Sequence, residues 1–134
     1  MSEFFVTSPD FQEGGEIPKE FGYKFENKTP EINFNNLPKG TKCVALIMDD
    51  PDAMAAVGKV WIHWLYYTHQ QKDSQIFGKT DFGETKYGGP APPDGKHTYV
   101  FKGYALDYTP ELKEGFSKQE LEDAMKGHIL AEAK

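Results

Sequence analysis

The stretch YGGPAPPDGKHTYVFKGYALD, residues 87–107, is the most informative part of this sequence. It opens with a loop rich in glycine and proline and then brings His97 to the start of an apolar strand. Proline restricts the backbone of such a loop and glycine permits its tight turns, so the loop can hold a binding surface open at a small ordering cost. A rigid loop that ends in a polar residue at the mouth of a strand is typical of a sheet presenting a small ligand site.

Outward from this stretch, short runs of aromatic and β-branched residues are separated by glycine, proline, asparagine and aspartate, which is typical of β-sheet. The polar segment 70–84 is expected to be a loop. The sequence therefore predicts a mainly β protein. Its strands are expected at residues 4–7, 21–25, 32–34, 43–48, 60–68 and 97–106.

One helix is predicted late in the sequence. Ser117 and Glu120 have the spacing of a capping box, in which each side chain accepts a hydrogen bond from the other residue's backbone N–H. Five residues then recur at helical spacing: Leu121, Ala124, Met125, His128 and Ile129. The pattern predicts a helix from about Ser117 to Ala133, docked on the sheet through Leu121, Met125 and Ile129.

The composition limits the classes of function. A length of 134 residues predicts a single domain, residues 1–134. The net charge of −6 argues against a nucleic-acid-binding surface, which needs a basic patch. All fifteen basic residues are lysine, so the chain cannot form a bidentate guanidinium clamp on an anion. Because no secretory signal or membrane-spanning run is recognisable, a cytoplasmic protein without an integral membrane segment is expected.

Three segments each offer a titratable group beside a turn or loop. Asp50 ends an apolar run and is followed by Pro51; His63 lies inside the strand WIHWL; and His97 begins the last strand of the sheet. Each residue taken alone also fits an interpretation without a binding role. Asp50 would lie in a solvated turn, His63 would be a hydrogen-bonded core histidine, and His97 would be an exposed residue at the start of a strand. Together, two histidines and a carboxylate would form a small anion site, with Asp50 orienting one imidazole and raising its pKa.

Strict alternation along the strand around His63 predicts which side chains share a face. Trp61, His63 and Leu65 are expected on one face of the sheet, and Ile62, Trp64 and Tyr66 on the other.

These motifs resemble the phosphatidylethanolamine-binding protein family, also called the Raf kinase inhibitor family. The resemblance lies in the segments DPDA (50–53), WIHW (61–64) and GPAPPDGKHTY (89–99), which occur in the family's order. Two upstream segments, NKTP (27–30) and LPKGTK (37–42), are also similar to the family's. The match covers roughly residues 25–108.

The resemblance implies an antiparallel β-sandwich-like fold and a shallow pocket for phosphate-type anions or phospholipid head groups. No catalytic residue, cofactor or metal is expected. Pro51 and Gly89 would shape the pocket walls. The ligand-binding residues carried over by motif are Asp50, Trp61, His63, Pro92, His97 and Tyr99.

Other functions compete with this interpretation. A hydrolase would need a nucleophile, but no serine lies in a nucleophile elbow and Cys43 lies inside a strand far from the histidines in sequence. A zinc site could use both histidines and Asp50, but they lie on three elements without compact ligand spacing. The family is also linked to inhibition of serine proteases and kinases, which would use an exposed loop. The sequence does not indicate a protein target, and it is compatible with a homodimer.

Overall fold

The computed structural model describes residues 4–9, 31–51, 61–69, 74–83, 85–89 and 99–133. The prediction of a mainly β, antiparallel protein with one helix late in the chain is confirmed for these ranges. The predicted strand at 21–25 lies outside the described residues. The elements are β1 (Phe5–Thr7), β2 (Asn33–Asn35), β3 (Cys43–Asp50), β4 (Trp61–His69), β5 (Ser74–Phe77), β6 (Val100–Leu106), α1 (Lys118–Met125) and β7 (Ile129–Ala133).

The described strands form two antiparallel sheets. The smaller sheet pairs β1 with β2, and the larger has the order β5-β4-β3-β6-β7. Strand β3 is central, and all of its residues from Cys43 to Asp50 are buried. A strand covered on both faces needs apolar side chains at nearly every position, which explains the continuous apolar run in its sequence.

Each face of the larger sheet carries its own apolar cluster. Alternation along β3 divides its side chains between the two. The helix-side cluster comprises Cys43, Ala45, Ile47, Ile62, Leu65, Tyr67, Leu106, Phe116, Leu121 and Met125. The β2-side cluster comprises Leu46, Met48, Trp64, Tyr66 and Tyr87, with Phe34 of β2 packed against it.

The smaller sheet approaches β6 closely at Gly103. A β-carbon at this position would lie 2.4 Å from Val6 Cγ2 and 3.1 Å from Phe34 Cε1. Any larger residue would therefore push β1 and β2 away from the larger sheet, so the glycine permits the two sheets to pack.

The capping box and the docking of α1 are confirmed. Ser117 Oγ accepts a hydrogen bond from Glu120 N, and Glu120 Oε1 accepts one from Ser117 N, both at 3.1 Å. Leu121 and Met125 are buried against the sheet. Among the described residues, no helix is long and apolar enough to cross a membrane.

The predicted extent of the helix is wrong at its C-terminal end. Helix α1 stops at Met125, and residues 129–133 form the edge strand β7 beside β6. Gly127 has a φ of +82°, in the left-handed region that ends a helix. Ile129, expected on the buried stripe of the helix, is 40% exposed on β7.

The predicted loop 70–84 contains a strand. Ser74–Phe77 forms β5 and pairs with the outer side of β4 through Tyr66, Tyr67, Thr68 and His69. Only four residues long and half polar, this strand gives too short a pattern to be recognised in the sequence.

Candidate ligand-binding site

The pairing of β3 with β4 changes register near the end of both strands. Met48 pairs with Trp64, but the next pair joins Asp49 to Ile62. His63 is therefore the extra residue of a β-bulge. A bulge bends its strand and re-aims the neighbouring side chains, and bulges occur often beside functional sites.

The bulge overturns the faces that strict alternation predicted for β4. Ile62 and Leu65 were assigned to opposite faces, yet both belong to the helix-side cluster. Trp64 lies in the β2-side cluster, as does Tyr66. One inserted residue reverses the alternation on one side of it, so the side chains before and after His63 follow different phases.

The imidazole of His63 is buried and held in a fixed orientation. Its exposed fraction is 3%, and Nδ1 lies 2.7 Å from the carbonyl oxygen of Gly88. The backbone N–H of Gly88 in turn donates to His63 O at 2.8 Å. Because a carbonyl oxygen only accepts hydrogen bonds, Nδ1 carries a proton, and Nε2 is the ring nitrogen that this bond does not use.

Aromatic rings surround the imidazole. The Tyr99 ring meets it edge-on with centroids 5.2 Å apart, and the Phe82 ring does the same at 5.4 Å. Phe82 also contacts Trp61, at 5.6 Å between ring centroids. Edge-to-face contacts at these distances are favourable, so the rings fix the tilt of the imidazole.

Gly88 is needed as glycine at this site. A β-carbon there would lie 2.3 Å from Cδ2 and 2.5 Å from Cε2 of Phe82. The missing side chain lets Phe82 pack over the loop backbone that holds His63. The tight loop and the aromatic wall therefore depend on each other.

Two buried aspartates end β3 beside the bulge. Asp49 and Asp50 are only 2% and 3% exposed, so the interpretation of this segment as a solvated turn is wrong for both. Asp49 Oδ2 accepts a hydrogen bond from Lys102 Nζ at 3.1 Å, forming an ion pair. Asp50 pairs with Trp61 in the ladder and lies near enough to influence His63 electrostatically.

The charge of Asp50 acts to raise the pKa of His63, as predicted, but the pKa is still lower than its ordinary value. Burial is the largest cause, because it penalises the charged imidazolium. The backbone hydrogen bonds to Gly88 and Gly89 and the charges of Asp50 and Asp81 act in the opposite direction but do not overcome it. The site therefore presents a neutral imidazole near neutral pH.

Three residues of the site were not predicted. Besides Phe82 and Gly88, Asp81 binds the backbone of β4 beside the bulge: its Oδ2 accepts from Ile62 N at 2.7 Å, and its N–H donates to Ile62 O at 3.0 Å. Gly88 lay in the diagnostic stretch. Asp81 and Phe82 lay in the segment expected to be a loop, where no periodicity marked them.

The structure brings several of the predicted residues together. Asp50, Tyr99 and the buried backbone of Gly89 lie near His63. Trp61 contacts Phe82, whose ring packs against the imidazole. Pro51 is exposed directly after β3. Pro92 and His97 lie outside the described residues.

A shallow cleft of about 220 Å³ lies elsewhere, at β6 and β7. It contains none of the predicted residues. Its lining is Lys102, Tyr104, Glu132 and Ala133.

This architecture defines a mainly β protein with a buried histidine site at the end of its central strands. The model of the phosphatidylethanolamine-binding protein family matches residues 7–134, and the chain belongs to that family. The resemblance inferred from the motifs is therefore confirmed.

Bacterial and archaeal proteins are similar over nearly the whole chain. A UPF0098 protein of Chlamydia muridarum is 40% identical, with 96% of this chain and 93% of the relative covered. A UPF0098 protein of Methanothermobacter thermautotrophicus is 37% identical, with 92% and 90% covered.

Two solved structures share the fold. A crystal structure of a phosphatidylethanolamine-binding protein homologue from Chlamydia trachomatis has a TM-score of 0.89 and 34% identity, covering 98% of this chain and 93% of that chain. Escherichia coli YbcL, described as a member of the mammalian family, has a TM-score of 0.83 and 25% identity, covering 98% and 94%.

Proposed function

We propose that this chain binds a small oxyanion, phosphate or a phosphorylated or phospholipid head group, at the bulged end of β4. The main supporting observation is the buried imidazole of His63, which is fixed through Nδ1 by Gly88 and flanked by Tyr99. Burying a polar ring costs free energy unless its hydrogen bonds are satisfied. A ligand-binding role, in which one ring nitrogen is fixed by the protein and the other binds the ligand, would account for the burial of this imidazole.

Binding of an anion that carries no proton of its own should strengthen as the pH falls. The chain has no arginine, so protonated imidazole supplies positive charge that a guanidinium would supply elsewhere. Because burial lowers the pKa of His63, the unliganded ring is neutral near neutral pH, and an anion that needs the protonated ring binds more tightly as the pH falls towards that pKa.

We further propose that the protein is a binding module and not an enzyme. Catalysis by attack would require an activated nucleophile near His63. The thiol of Cys43 is unsuited to that role: it donates to Thr68 O inside the helix-side cluster, and burial raises its pKa to about 11. Protein inhibition would use an exposed loop, and no described contact favours it.

Calorimetric titration with inorganic phosphate tests the proposed site. His63→Ala removes a hydrogen bond to an ionic ligand, typically worth ~1.5–3 kcal/mol, and should weaken binding about ten- to a hundredfold. His128→Ala is the matched control, since His128 is half exposed and pairs with Asp107 outside the site, at 2.8 Å. Equal phosphate affinity in the wild type and both variants would exclude the site around His63.

A further inference from the structure

The tautomer of His63 is set by the backbone. Nδ1 donates to Gly88 O at 2.7 Å, and this carbonyl oxygen offers no proton in return. In the neutral ring, Nε2 is therefore a hydrogen-bond acceptor. Two acceptors cannot share a hydrogen bond, so a fully deprotonated oxyanion has nothing to donate to this nitrogen.

The described groups that face His63 reinforce this requirement. The carboxylates of Asp50 and Asp81 are near enough to act on it, and the ring of Tyr99 packs against it. Behind Tyr99 lies Tyr87, whose hydroxyl is close enough to interact electrostatically with Tyr99. The nearby charges thus favour a proton on the histidine, whereas burial opposes one while the site holds no ligand.

We propose that the bound ligand shares one proton with His63 Nε2, so that the site selects oxyacids that bring this proton with them. This inference rests on the proposed oxyanion site. Hydrogen phosphate or a protonated phosphate monoester can donate its own P–O–H hydrogen to Nε2. Sulfate has none to give near neutral pH, so its binding must take a proton from water, and that proton ends on Nε2.

Calorimetry in two buffers of different protonation enthalpy counts these protons. At about pH 8, sulfate should take up close to one proton per anion bound and phosphate close to none. Above the pKa of His63, sulfate affinity should fall about tenfold per pH unit. Phosphate affinity should change much less wherever phosphate still carries a proton.

His63→Gln identifies the group that takes up the proton. A glutamine amide can donate to an anion without titrating, so sulfate should still bind this variant, with no proton uptake and no pH dependence. The matched control His128→Gln should keep the uptake of the wild type, because His128 pairs with Asp107 outside the site. Uptake that persists in His63→Gln would place the proton elsewhere, for example on Asp50, and would overturn the assignment.

The wild-type measurement also stands alone if a variant fails to fold. Sulfate and phosphate that both bind without proton uptake would overturn the proton-sharing inference while leaving the oxyanion site intact. Failure of both anions to bind across the pH range would overturn the proposed function itself, and the inference with it.

Discussion

The pairing of β3 with β4 has two halves that differ in regularity and in chemistry. From Ala45–Tyr67 to Met48–Trp64 the register is continuous, and the side chains are buried and almost wholly apolar. Beyond Met48 the register shifts at the bulge. There Asp49, Asp50 and His63 are buried. Removing each of these polar side chains from water lowers the stability of the fold unless it is compensated by hydrogen bonds or charges.

The difference separates stability from function within a single strand pair. The regular half packs two apolar clusters and needs no polar partner. In the bulged half, charged and polar groups require specific compensation, such as Lys102 for Asp49 and Gly88 for His63. Local departures from favourable packing are expected at functional sites, where the rest of the fold supports them.

The largest effect on stability should come from the regular half. Leu65 is fully buried in the helix-side cluster, so Leu65→Ala should lower the free energy of unfolding by about 2–5 kcal/mol. The measurement is denaturant unfolding monitored by circular dichroism.

Leu130→Ala is the matched control, because Leu130 is 42% exposed on the edge strand β7. It should change stability by less than about 0.5 kcal/mol. Similar losses for the two leucines would mean that the helix-side cluster is not the main source of stability.

A smaller loss should come from the bulged half. Gly88→Ala inserts a β-carbon 2.3 Å from the Phe82 ring, and such overpacking typically costs about 1–3 kcal/mol. The displaced ring should also shift the NMR signals of the His63 imidazole.

A double-mutant cycle with Phe82→Ala tests the contact directly. Removing the ring should reduce the cost of the added methyl group, so the two free-energy changes should not add. Additive changes would show that Gly88 and Phe82 do not constrain each other.

The smallest effect on stability is a pH dependence confined to the bulged half. Because burial lowers the pKa of His63, the unfolded chain binds more protons than the folded one in the interval below about pH 6.5. The stability associated with the neutral ring is complete above this interval and is lost as the pH falls towards the folded-state pKa.

Thermal unfolding of wild type and His63→Gln between about pH 5 and pH 8 measures this loss. The unfolding temperature of the variant should decline less steeply with falling pH than that of the wild type. Identical slopes for wild type and His63→Gln would contradict the lowered pKa.

The regular half of the β3–β4 pairing could be predicted from the sequence better than the bulged half. The apolar runs revealed β3, β4 and the docking of α1, because burial on both faces and helical spacing leave direct traces in sequence. The bulge at His63 leaves none, since an inserted residue looks like any other until its partner strand is known. For the same reason the contacts of Phe82 with Gly88, and the dominance of burial over Asp50 in the pKa of His63, emerged only in three dimensions.

The C-terminal end of α1 was predicted wrongly for a different reason. Ile129 fits the helical spacing, but Gly127 can adopt a positive φ, and pairing with β6 gives the following residues the backbone partners of a strand. The periodicity of a sequence carries no information on pairing with a distant strand, so it could not show that the helix ends before Ile129.

The decisive experiment for the ligand site is a crystal structure of the protein grown in phosphate. The claim is that the bulged end of β4 is a ligand site because it fixes one nitrogen of a buried histidine and offers the other. We predict phosphate density within hydrogen-bonding distance of His63 Nε2, with Nδ1 still bonded to Gly88 O. Phosphate bound only at the cleft beside Lys102, or His63 Nε2 bonded within the protein with no anion beside it, would contradict the account.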